Sequence, residues 1–136
     1  MSYKILEHSA DEKFRASGES IEEAFSEAVK AFAEIVGGDT EGMYHHTINV
    51  KSESLEALLY DFLDRLILLQ ETEGVAISHA EEMDVEELED EWRIEASVLV
   101  DNITSDMSLL DIKAPTYNEM KVDFEDGWVL EAVLDV

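Results

Sequence analysis

The spacing of hydrophobic positions along the chain predicts two amphipathic helices. Between residues 21 and 35, apolar side chains recur at three- and four-residue intervals, and Ser20 with Glu23 forms a capping box at the start of this stripe. A second stripe of the same period runs from 55 to 67, and we expect its helix to begin near Ser52 or Ser54. Each stripe is followed by a glycine that stops a helix, at Gly37 and Gly74.

The remaining apolar positions alternate with polar ones, which is the period of a β-strand with one buried face. Strand candidates lie at 3–6, 12–17, 44–50, 75–88, 92–100, 120–124 and 128–134. The last two flank Asp126-Gly127, and an Asp-Gly pair between alternating runs is a strong hairpin signal. The element order β-β-α-β-α-β-β-β-β predicts an α+β fold, with two helices packed on one face of a mixed, mostly antiparallel sheet.

Composition narrows the class of protein. The chain has 136 residues, 34 of them Asp or Glu and 9 Lys or Arg, for a net charge of −25. This length and an apolar fraction of 46% predict one domain over residues 1–136. The charge disfavours direct binding to nucleic acid or to an anionic membrane. The absence of cysteine excludes thiolate chemistry, and the N-terminal residues lack a signal-peptide pattern, so we expect a cytoplasmic protein.

The most informative candidate site lies at the C-terminal end. Asp135 and the terminal carboxylate of Val136 follow a predicted strand directly, and such oxygen clusters suit a hard cation such as Ca²⁺ or Mg²⁺. Asp11, in the loop beside His8, is a candidate further ligand. The alternative is an ordinary frayed chain end without a bound ion.

Lys113 is the second candidate, because basic residues are scarce in this chain. It lies two residues before Pro115, which lacks an amide donor and therefore indicates a sheet edge or a bulge. Such an edge is a plausible partner-contact patch, and a surface ion pair between Lys113 and Asp111 is the alternative. The adjacent His45 and His46 would point to opposite faces of a strand, which is poor geometry for one metal ion.

Four short motifs occur in order along the whole chain. They are Glu7-His8-Ser9-Ala10-Asp11, Glu19-Ser20-Ile21-Glu22-Glu23-Ala24-Phe25, Lys113-Ala114-Pro115-Thr116-Tyr117 and Leu134-Asp135-Val136. Together they resemble the motifs of the archease family, small acidic proteins that assist the RNA ligase of tRNA splicing. Ser9 and Asn118 depart from the family pattern, in which threonine and often histidine stand at these positions.

The resemblance implies a protein cofactor of the ligase rather than an enzyme. Such a protein promotes guanylylation of the RNA-splicing ligase and its multiple turnover, and contacts RNA only through the ligase. By the same resemblance, Asp11, Asp135 and Val136 would hold a divalent cation, Ca²⁺ first, with Mg²⁺ or Mn²⁺ as alternatives. Lys113 and His8 would be functional or partner-contact residues. The oligomeric state is left open.

Two other functions compete with this one. A small hydrolase would use the same carboxylates to hold a metal ion, with His8 as its acid or base. A chaperone-like module would act through its acidic surface and helix faces alone. The acidity itself has two explanations: attraction to a partner with a basic RNA-binding surface, or solubility in a high-salt cytoplasm.

Overall fold

The structure is a computed structural model that describes residues 1–6, 11–38 and 40–136. These residues form two helices and seven strands. In chain order they are β1 (Ser2–Leu6), β2 (Glu12–Gly18), α1 (Ile21–Val36), β3 (Tyr44–Ser52), α2 (Leu55–Glu73), β4 (Val75–Glu87), β5 (Trp92–Asn102), β6 (Ala114–Phe124) and β7 (Trp128–Asp135). The α+β class and the order of elements predicted from the sequence are confirmed.

The strands are divided between two sheets, where the sequence suggested one. The first has the order β1-β2-β7-β6 and the second the order β3-β5-β4. Every pairing between the described strands is antiparallel. Helix α1 contacts β1, β2 and β7 of the first sheet and β4 of the second, while α2 contacts β6 as well as all three strands of the second sheet. The helices therefore join the two sheets through one core.

Apolar side chains from both helices and both sheets form a single buried cluster. Phe25 of α1 and Phe62 of α2 meet edge to face, with ring centroids 5.8 Å apart. Phe14 of β2 and Leu130 of β7 are fully buried on the helix-facing side of the first sheet. Burial of each such side chain contributes roughly 1.5–3 kcal/mol, so this cluster is the main source of stability.

The helix boundaries follow the predicted capping residues. Ser20 and Ser54 each accept a hydrogen bond from the amide three residues later, at 3.1 Å. Gly37 and Gly74 end the helices in the left-handed region, with φ of 92° and 64°. Neither described helix is long and apolar enough to cross a membrane.

Two strands depart from regular pairing. β4, whose alternation is imperfect in the sequence, shifts register twice against β5. β6 begins at Ala114, six residues before the strand predicted there, and contains an irregularity between Thr116 and Lys121. Pro115 is tolerated because β6 is the outer strand of its sheet, where a missing amide need not break a ladder.

The segment before β3 is fastened to β5 by one carboxylate. Asp101 accepts hydrogen bonds from the backbone amides of Glu41, Gly42 and Met43 at 2.7, 3.0 and 2.8 Å. The amides of Gly42 and Met43, followed by that of Glu41, hold the pKa of Asp101 below its ordinary value. Because the charged form is the one that is bound, Asp101 stabilises the fold above its unfolded pKa. The stabilisation is lost as the pH falls through the lowered folded pKa.

We expect Asp101→Asn to lower the free energy of unfolding by about 1–2 kcal/mol at neutral pH, because three amides lose their charged acceptor and an NH2 group replaces one of its oxygens. The difference from the parent protein should shrink below a pH of about 4, where the unfolded carboxyl becomes protonated. Urea titrations at several pH values measure it, with Asp90→Asn in the exposed β4–β5 turn as control. An equal penalty at every pH would contradict this role of the charge.

Candidate metal site and partner-contact residues

The sheet register brings the first loop and the end of the chain together. The last pair of the β2–β7 ladder is Glu12 with Leu134. Asp11 directly precedes this pair and Asp135 directly follows it. Asp11 and Asp135 therefore flank the last pair of this ladder.

Strand alternation puts the carboxylate of Asp135 on the outer face of the first sheet. Leu134 is fully buried on the helix-facing side, so Asp135 points to the outer side and is exposed. Asp11 directly precedes β2, at the same end of the ladder.

The C-terminal residues are paired and packed. The amide of Lys113 donates to the carbonyl oxygen of Asp135 at 2.8 Å, so the end of β7 is held between β2 and β6. Val136 is half-buried against the hydrophobic core. The end of β7 therefore contacts both β6 and the hydrophobic core.

Lys113 lies at the same end of the sheet. Its neighbours Ile112 and Pro115 are buried, whereas Lys113 itself is exposed. Further along the segment, the ring of Tyr117 stacks on that of Tyr60 from α2, with centroids 4.3 Å apart and planes within 5°. Buried anchors and this stack fix the segment that carries Lys113.

Tyr60 is not among the functional residues predicted from the sequence. Its position lies outside the apolar stripe of α2, so periodicity gives no signal for it. Tyr117 belongs to the motif that begins at Lys113, but its aromatic partner on α2 is close to it only in the folded chain. Partial burial, followed by the negative charge of Asp61, raises the pKa of the Tyr117 hydroxyl.

The nearest cations on the outer face have other partners. Lys13 contacts Glu119 at 3.3 Å and Glu131 at 3.4 Å, and Arg15 contacts Glu131 at 3.2 Å. Glu131 is only 9% exposed, so this network is partly shielded from water. Among the ion pairs between described residues, none includes Asp11, Asp135 or Lys113. The expected alternative, a Lys113–Asp111 pair, is not formed within that set.

The donor set is suited to a hard cation. Two carboxylates and the oxygens of Val136 are the ligand type that Ca²⁺ prefers, although Ca²⁺ takes roughly six to eight oxygens. Within residues 1–6, 11–38 and 40–136, no group of three or more His, Asp or Glu side chains is arranged around a metal position. His8 and the rest of the motif before Asp11 lie outside the described residues. Any remaining ligands would come from there, from water or from a partner.

The chain matches known proteins over almost its whole length. The model of the Archease protein family matches residues 3–136. The chain belongs to the archease family. A protein archease of Methanosarcina mazei is 33% identical, over 98% of this chain and 95% of its own length. One from Pyrococcus abyssi is 29% identical, over 98% of both chains.

Two solved structures have the same architecture. The solution structure of protein 1598 from Methanobacterium thermoautotrophicum superposes with a TM-score of 0.84 at 26% identity, over 99% of each chain. The crystal structure of a Thermotoga maritima archease, described as a possible chaperone, gives a TM-score of 0.60 at 25% identity. It covers 98% of this chain and 96% of its own. Family membership therefore applies to the complete domain.

We expect Asp135→Asn to raise the stability of the metal-free protein by a few tenths to about 1 kcal/mol, because one of two negative charges at this end of the sheet is removed. Chemical unfolding in the presence of a chelator measures this change. Asp126→Asn, in the turn at the other end of β7, is the matched control. A loss of stability in Asp135→Asn alone would show that the carboxylate is already satisfied without a cation.

Proposed function

We propose that this archease is a non-catalytic, metal-binding accessory protein that activates an RNA-splicing ligase. It would promote guanylylation of the ligase and multiple turnover in tRNA splicing. Family membership and the four sequence motifs support this function. The observation that supports it is the β2–β7 ladder, whose last pair, Glu12 with Leu134, is flanked by Asp11 and Asp135 at the sheet end next to Lys113.

In this proposal, Asp11, Asp135 and the oxygens of Val136 hold one divalent cation, Ca²⁺ by preference. When bound, the cation would neutralise both carboxylates and fix the relative positions of the β2 and β7 ends. The exposed Lys113 would then be presented to the partner beside the ion. We call this sheet end, defined by Asp11, Lys113, Asp135 and Val136, the tip.

The negative charge of this chain favours a partner that has a basic surface. The net charge of −25 would accelerate encounter with a ligase whose own surface binds RNA. The same charge repels phosphates, so the accessory protein would reach RNA only through the ligase. The proposed place of action is the cytoplasm.

We expect Ca²⁺ to raise the unfolding temperature of the parent protein, because an ion that binds only the folded state stabilises it by mass action. The gain is about 2.7 kcal/mol at a free concentration of 100 times Kd. Asp11→Asn and Asp135→Asn should abolish the shift, while Asp126→Asn should retain it. Differential scanning calorimetry with and without chelator measures the effect. An unchanged shift in both tip variants would place the ion elsewhere.

In a guanylylation assay with an RNA-splicing ligase, we expect the parent protein to increase both the rate of guanylylation and the number of turnovers under substrate excess. Asp11→Asn, Asp135→Asn and Lys113→Ala should each reduce this stimulation at least tenfold. Asp126→Asn should leave it unchanged. Equal stimulation by all four variants would falsify the assignment of the tip.

A chaperone-like function is the second candidate, because the Thermotoga maritima relative is described as a possible chaperone. This function predicts suppression of aggregation for unrelated client proteins, with no effect of the tip variants. Turnover of a phosphoester by the purified chain alone would instead support the hydrolase. The three outcomes differ in whether a ligase is required and in whether Asp135 matters.

A further inference from the structure

β3 is an open edge of the second sheet, and it is unusually regular. Its nine residues pair with β5 from Tyr44 to Ser52 without a register shift, and no other described strand lies on its far side. Lys51 is its one charged residue. Such an edge presents unpaired amide and carbonyl groups to which another strand can bind.

The other three sheet edges have features that discourage strand addition. β4 carries five acidic residues and two register shifts. β1 is only five residues long, and β6 contains Pro115 and an irregularity. Short, charged, proline-containing or bulged edges are the usual protection against edge-to-edge pairing. Among the described edges, β3 has only one of these features, the charged Lys51.

β3 also lies in the longest stretch of the chain without an acidic residue. Asp and Glu make up 34 of the 136 residues, yet residues 42–52 contain neither. Carboxylates along this edge would attract a basic partner, so their absence does not favour such a partner. Their absence instead reduces the repulsion of a partner that is itself strongly acidic. A second copy of this chain, with its charge of −25, is such a partner.

A groove next to this edge is lined by side chains of opposite charge from one helix. It has a volume of about 210 Å³ and lies between β3 and α2, where Arg65, Leu68 and Glu73 line it. Leu68 is 48% exposed, which is high for a leucine on a helix that packs into the core. Arg65 and Glu73 are eight residues apart, so they lie about 12 Å apart along one side of the helix.

We propose that β3 pairs antiparallel with β3 of a second copy, forming a two-fold symmetric dimer. The symmetry axis of such a pair is perpendicular to the sheet, so the two α2 helices lie on the same face and run antiparallel. Arg65 then faces Glu73 of the partner subunit, and the reverse contact follows by symmetry. Leu68 and its copy meet between these charge pairs, and the two sheets become one of six strands.

Salt should strengthen this dimer. Two molecules of charge −25 repel each other at distances longer than the spacing between paired strands, and added salt screens that repulsion. The strand pairing and the contact of Leu68 with its copy are short-range and are screened much less. The dimer fraction at fixed protein concentration is therefore expected to rise between about 0.05 and 1 M salt.

Sedimentation velocity on the full chain tests the proposal through a charge swap. Arg65→Glu and Glu73→Arg should each raise the dimer Kd about tenfold or more, because each creates two like-charged contacts across the axis. The double variant Arg65→Glu with Glu73→Arg should restore the parent Kd to within a few-fold. Restoration also shows that the single variants failed to dimerise for a reason other than misfolding.

Two controls match the charge changes. Lys4→Glu on the exposed side of β1 alters net charge as Arg65→Glu does, and Glu71→Arg lies on α2 but lines a different cavity. Neither should change the dimer Kd beyond the general effect of net charge. A parent protein that stays monomeric at about 1 mM in 1 M salt overturns the proposal. So does a double variant that remains as weak as either single one.

Discussion

The position of β7 between β2 and β6 is the constraint on which the proposed site depends. Hydrogen bonding on both sides fixes the register of β7, and through it the position of Asp135. Residues separated by more than 120 positions in the chain thereby become neighbours. If β7 slipped by one residue, its apolar and polar faces would exchange sides. The buried Leu130, Ala132 and Leu134 prevent that slip, so the core determines where the carboxylates lie.

Charge is distributed unevenly over this fold. Most of the carboxylates are solvated, but the outer face of the first sheet uses Lys13 and Arg15 to compensate the nearly buried Glu131. Asp11 and Asp135 at the tip have no such compensation among the described ion pairs. The β3 edge has the reverse character, since acidic residues are absent from it. In a chain of net charge −25, an acidic sheet end and an edge without acidic residues are thus the two places where function is proposed.

Sequence patterns predicted local structure well because helix caps and hydrophobic stripes are local signals. Ser20, Ser54 and Gly37 act where the patterns indicate, and Asp126-Gly127 forms the hairpin turn with φ of 57° and 125°. The division into two sheets was not predictable, because a period of two identifies the buried face of a strand but not its partners. Asp135 was selected because it follows a predicted strand at the end of the chain, with Asp11 as a further ligand, and the family resemblance supported both. The β2–β7 register, which brings their ends of the strands together, is not contained in any local pattern.

Alternation along β7 separates the buried residues that stabilise the fold from the residues that are exposed at the tip. On β7, Leu134 belongs to the core while Asp135 faces outward, so neighbouring residues serve different purposes. The exposed carboxylate of Asp135 is therefore carried by a core that does not include it. An unfavourable interaction of its charge would be small beside the burial of the neighbouring leucines. The same separation explains why substitutions at the tip should report on binding without unfolding the domain.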